Sequence, residues 1–160
     1  KIDKNSEVGK QMVAADNYIP GTDWIDFFNP DAAADYWKNF KERLLPLGID
    51  AWWQDATEPE NDDLQGRMVN KGKWSGEQVR NVYPLLVNKT VYEGLKEAGK
   101  EPMILTRCGF AGIQRYGSAI SPSTQICVSS WSEDCIACIS SPTRVLTISS
   151  SWRLCVSSTM

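Results

Sequence analysis

Apolar residues change their spacing several times along this chain, and each change predicts an element. Asp23-Trp24-Ile25-Asp26-Phe27-Phe28 is aromatic and β-branched, which predicts a strand. Asn29-Pro30-Asp31 then supplies a helix start: a capping side chain, a proline at the first helical position and an acid in the first turn. Ala33, Trp37, Phe40 and Leu44 follow at helical spacing and predict one apolar stripe. Lys38, Lys41, Glu42 and Arg43 take most of the other side, and Pro46 with Gly48 ends the helix.

A second strand runs from Ile49 to about Asp55, followed by a polar loop from Glu58 to Trp74. Ser75-Gly76-Glu77-Gln78 fits a capping box and predicts a second helix. Val79, Val82, Leu86 and Leu95 mark its buried face. Pro84 predicts a kink or break, and Gly99 closes it. Pro102 to Arg107 reads as a third strand. Strand and helix alternate, so the fold class is α/β with parallel strands joined by crossover helices.

In such sheets functional residues collect at the carboxyl ends of strands. Trp52, Trp53 and Asp55 stand at one such end and Arg107 at another. Aromatic faces stack on sugar rings, and a carboxylate can attack or stabilise an oxocarbenium-like centre. Trp53 and Asp55 share a strand face, so Trp53 is the candidate wall of the site and Trp52 the candidate core residue.

Composition narrows the chemistry. The 160 residues contain no histidine, which excludes His-based triads and His-ligated metals within this chain. A net charge of -3 gives no footprint for nucleic acid or an anionic membrane. No apolar run approaches the roughly 18 residues of a membrane span. Glu58, Glu60, Asp62 and Asp63 lack calcium-loop spacing and read as a solvated loop. Asn88-Lys89-Thr90 is a formal glycosylation sequon inside a predicted helix, and reads as chance. Cys108 reads as a buried, inert thiol, with a low-pKa thiol beside Arg107 as the alternative. No metal or cofactor is expected, and no compartment is readable.

The two ends of the chain differ in kind. Residues 121–160 hold 12 serines and four of the five cysteines, but no Gly, Lys, Asn, Phe or Tyr. Without Gly or Asn, turns that need positive φ are hard to build. Cys135 and Cys138 have CxxC spacing but no second pair, so a metal or redox module is only a third alternative. The expected organisation is residues 1–120 as one unit and 121–160 as a Ser/Cys-rich irregular tail. Lys1 begins abruptly, so a fragment of a longer protein is expected.

Three segments carry a family resemblance: Trp24 to Pro30, Trp52 to Pro59 (WWQDATEP) and Thr106 to Tyr116 (TRCGFAGIQRY). In this order and spacing they resemble the catalytic (β/α)8 barrel of glycoside hydrolase family 31, most closely its α-xylosidase type, with α-glucosidases sharing the scaffold. The resemblance implies a partial TIM barrel and a retaining α-glycosidase acting on a carbohydrate substrate. Asp55 would be the nucleophile and Arg107 a sugar contact. Trp53 would be a subsite wall and Glu58 a supporting carboxylate. The family also requires an acid/base Asp in a W-x-G-D-like motif soon after Ile120. Here Ser121-Pro122-Ser123-Thr124 follows, and neither Glu133 nor Asp134 stands in a matching context. The expectation is therefore a frameshifted or otherwise non-native tail and an inactive chain. A non-catalytic carbohydrate-binding remnant is the alternative. About three strands of an eight-stranded barrel also imply marginal stability.

Overall fold

The computed structural model describes residues 2–60 and 63–116 and the backbone of 118–120. The expectations for Asp62, Glu133, Asp134, the tail cysteines and the tail as a whole lie outside the described residues.

The chain opens with α1 (Glu7–Ala14), which the apolar pattern did not predict. Ser6 caps it by accepting from the Gly9 N–H at 2.9 Å, and Met12 anchors it in the core. The predicted strand at residues 23–28 is not one. Only Ile25 forms a bridge there, antiparallel to Tyr18. Trp24, Ile25, Phe27 and Phe28 are all buried, so the segment has no alternating face. The Asp26 carboxylate accepts from Phe28 N at 3.2 Å and Asn70 N at 2.7 Å. A side chain that captures backbone donors in this way competes with a strand ladder.

The α2 helix (Pro30–Arg43) starts as its sequence predicts: Asn29 Oδ1 accepts from Asp31 N at 3.2 Å, and Pro30 occupies the first turn. Its buried face is rotated from the predicted stripe. Ala32 and Phe40 are buried, Ala33 and Trp37 are half-buried, and Leu44 is exposed. The reason is that α2 serves two clusters. Ala32 packs with Met12, Ile19 and Tyr83, while Phe40 packs with Val91, Leu95 and Ile104. Gly48, at φ 73°, ends the following 3-10 turn in the left-handed conformation.

β1 (Trp52–Gln54) is shorter than predicted. Inside the expected polar loop lies a small hairpin of β2 (Met68–Val69) and β3 (Trp74–Ser75), turned by Asn70 and Lys71 at positive φ. α3 (Gly76–Val79) begins at Ser75, but the capping box does not form. The Ser75 side chain makes no cap bond, and Glu77 instead accepts from Gly66 N at 3.1 Å. A 3-10 turn then leads into α4 (Tyr83–Glu97), so the helix breaks just before Pro84, as predicted. Asn88, the sequon residue, is fully buried and donates to the Pro84 carbonyl at 2.8 Å.

β4 (Ile104–Thr106) pairs parallel with β1, and β5 (Ser118–Ile120) pairs parallel with β4. The order β1-β4-β5 makes a three-stranded parallel sheet, an incomplete barrel wall. The parallel strands are thus three in number, but β5 replaces the predicted strand at 23–28. No helix among the described residues is long and apolar enough to cross a membrane.

Candidate active site

The parallel register pairs Gln54 with Thr106, so Asp55 and Arg107 are the next residues out of the sheet on neighbouring strands. Arg107 Nε lies 3.2 Å from Asp55 Oδ1. Its Nη2 lies 2.5 Å from Glu58 Oε1. These two donors share one edge of the guanidinium plane, so a single edge joins two carboxylates of the same loop. The interaction with Glu58 is the first cause of the rise in the Arg107 pKa.

Asp55 is also held from its own side. Ala56 has φ 51°, a left-handed conformation that is strained for a residue with a Cβ. Ala56 N also donates to Asp55 Oδ1 at 2.9 Å. The Asp55 side chain is 48% exposed, accessible to a solute.

Trp53 and Asp55 line one open cleft of about 280 Å³ with Trp24, Tyr36 and Tyr83. Trp52 reaches the same cleft and also packs on Phe40, with ring centroids 4.4 Å apart. The division into one core and one site tryptophan is therefore incomplete. Trp52 Nε1, Trp53 Nε1, both polar atoms of the Gln54 amide and Thr57 Oγ1 are buried without a hydrogen-bond partner among the described residues. An unpaired buried polar atom costs about 1–3 kcal/mol, so these groups weigh against the stability of this strand end.

Cys108 fits the inert reading rather than the low-pKa one, although it is not fully buried. It is half-buried, and its thiol donates to Glu58 Oε2. Burial first, then the Glu58 carboxylate, push its pKa up to about 12, so it is not a low-pKa thiol. Asp26 was missed as a polar anchor. Its signal is an acid inside an otherwise apolar run, Trp24 to Phe28. Among the described residues no group of three or more acids and cysteines could hold a metal ion. Asp63 instead accepts from Trp24 Nε1 at 2.6 Å and from Glu60 N at 3.0 Å.

Comparison with known proteins agrees with this fold. The family model described as the glycosyl hydrolases family 31 TIM-barrel domain matches residues 3–135. An α-xylosidase of Saccharolobus solfataricus is 37% identical over 131 residues, covering 77% of this chain and 17% of the relative. Alpha-glucosidase 2 of Bacillus thermoamyloliquefaciens is 29% identical over 108 residues, covering 62% of this chain and 14% of that protein. The crystal structure of a family 31 α-xylosidase from a soil metagenome, complexed with xylose, superposes with a TM-score of 0.64 at 28% identity. It covers 74% of this chain and 20% of that one. The chain thus spans a fifth or less of the length of each of these three. A parallel sheet with an Asp and an Arg at adjoining strand ends, matched over most of its length to one catalytic domain, places this chain in glycosyl hydrolase family 31.

Proposed function

We propose that the described residues form the nucleophile half of a retaining α-glycosidase site. Asp55 attacks the anomeric carbon, the glycosidic C–O bond breaks, and a glycosyl ester on Asp55 results. Arg107 orients the carboxylate and sugar hydroxyls, Glu58 supports Arg107, and Trp53 forms a wall for the ring. The observation that carries this reading is the Arg107 edge shared between Glu58 and Asp55, the latter also lining the cleft. An α-xyloside is the favoured substrate over an α-glucoside, since the α-xylosidase relative is the more similar of the two described.

Retaining hydrolysis also needs a second carboxylate roughly 5–5.5 Å from the nucleophile, to protonate the leaving oxygen and then activate water. After Ile120 the sequence offers only Trp131-Ser132-Glu133-Asp134, with Glu where W-x-G-D has Gly, and on that departure this chain is read as inactive on unactivated glycosides. We place the unit boundary near residue 120 and read 121–160 as a non-native, frameshifted tail. The family match continues to residue 135, just past Asp134, so that boundary rests on composition and on the altered motif alone. Reading the coding DNA in its other two frames after codon 120 tests it: a W-x-G-D-like motif supports the frameshift, and none overturns it.

A substrate with a good leaving group bypasses the missing acid. Incubation with α-xylosyl fluoride should release fluoride and leave a xylosyl adduct on the peptide containing Asp55. Asp55→Asn should carry none, and α-glucosyl fluoride should label more slowly. Tryptophan quenching by xylose without any adduct would instead favour a carbohydrate-binding remnant. Release of xylose from an unactivated alkyl xyloside would overturn the predicted inactivity.

A further inference from the structure

Beyond the two carboxylates and the arginine, the site contains a thiol with a defined partner. Glu58 uses both of its oxygens: Oε1 receives Arg107 Nη2 at 2.5 Å, and Oε2 receives the Cys108 thiol. Cys108 is itself fixed through its backbone. Its N–H donates to Thr106 Oγ1 at 3.3 Å, and the same hydroxyl reaches the Gln54 carbonyl at 3.2 Å, across the β1–β4 pair. The thiol is therefore tied to the same two strand ends that present Asp55 and Arg107.

A carboxylate bonded through one oxygen can swing about its side-chain torsions. Bonded through both, it has one orientation, and the guanidinium it holds then has one as well. We propose that Cys108 is a positioning residue: its thiol locks Glu58, and Glu58 holds the Arg107 guanidinium edge against Asp55. This rests on Asp55 being the nucleophile, but the thiol–carboxylate contact can be measured without that assumption. Burial is the first cause of the high thiol pKa, and the carboxylate partner adds to it by disfavouring a thiolate.

Two measurements on the full 160-residue chain test it. The first is peptide-resolved alkylation of Cys108 by iodoacetamide at pH 8, with free cysteine as reference in the same mixture. Cys108 should react at least about tenfold more slowly than free cysteine, and Glu58→Ala should recover part of that factor, burial retaining the rest. A Cys108 that reacts like free cysteine, or a rate unmoved by Glu58→Ala, would overturn the proposal. The second is the xylosyl-fluoride labelling of Asp55, resolved into KI and kinact. Cys108→Ala should lower kinact about tenfold with KI nearly unchanged, and Cys108→Ser, whose hydroxyl donates in the same place, should restore it. Labelling of Cys108→Ala at the wild-type rate would also overturn the proposal. If wild type itself fails to label, the nucleophile reading falls, and the alkylation rates still decide whether the thiol is engaged.

Discussion

Arg107 Nε stands 3.2 Å from Asp55 Oδ1 because the parallel pairing of Gln54 with Thr106 makes them the next two residues out of the sheet. Lysine at 107 would keep the charge but could not present two coplanar donors. Arg107→Lys should therefore lower the labelling rate at Asp55 by at least about tenfold. Both groups are more than a third exposed, so unfolding stability should change by no more than about 1 kcal/mol. Unchanged labelling would show that the two-carboxylate fork is dispensable.

Ala56 sits at φ 51° directly after Asp55. Glycine tolerates this conformation without strain, so Ala56→Gly should raise stability by about 0.5–1 kcal/mol in urea unfolding. The same change loosens the turn that holds Asp55, so labelling should slow. A destabilised variant would mean that the left-handed turn stores no strain.

Gly94 gives α4 its close approach to α2. A Cβ placed there would lie 2.2 Å from the Trp37 ring. Gly94→Ala should destabilise by about 1–3 kcal/mol, since the indole must shift within a packed interface. The double variant with Trp37→Ala should lose less than the sum of the two single changes, a coupling that a double-mutant cycle reads directly.

Asp26 is 4% exposed, and burial is the main cause that raises its pKa above 3.8, while backbone donors led by Asn70 pull the other way. A raised folded-state value means that the protonated form is favoured on folding. The stabilising contribution of that protonation is full below pH 3.8 and is lost as pH rises from 3.8 through the folded value. Asp26→Asn cannot titrate, so its stability relative to wild type should improve with pH across that window. At the acidic end it should still be about 1–3 kcal/mol less stable, because an amide NH2 facing Asn70 N has no lone pair to offer. Parallel pH profiles of the two proteins would exclude Asp26 as the titrating group.

The α2 start was readable because capping is local. Asn29, Pro30 and Asp31 act within one turn, and nothing distant overrides them. The failed capping box at Ser75 shows the limit of that rule. Glu77 found a better partner in Gly66 N across the loop, which no spacing within the segment reveals. The segment at 23–28 failed for a related reason. Its composition favours a strand, but buried apolar side chains on both sides of Asp26 and the inward carboxylate of Asp26 make it an anchor within one core cluster.

For the site, the residue types and their order pointed to Trp53, Asp55 and Arg107, because strand ends in parallel α/β folds face one mouth, whereas Glu58 came only from the family resemblance. The sequence by itself thus determined the fold class, the family resemblance and which side chains stand at those ends. Only the tertiary structure decided how they pair. The β1–β4 register brought Asp55 to Arg107, the loop after β1 folded Glu58 back onto the same guanidinium, and Cys108 closed on the remaining Glu58 oxygen. Those contacts join residues far apart in the chain, and a hydrogen bond depends on distances of a few tenths of an ångström that no local pattern encodes.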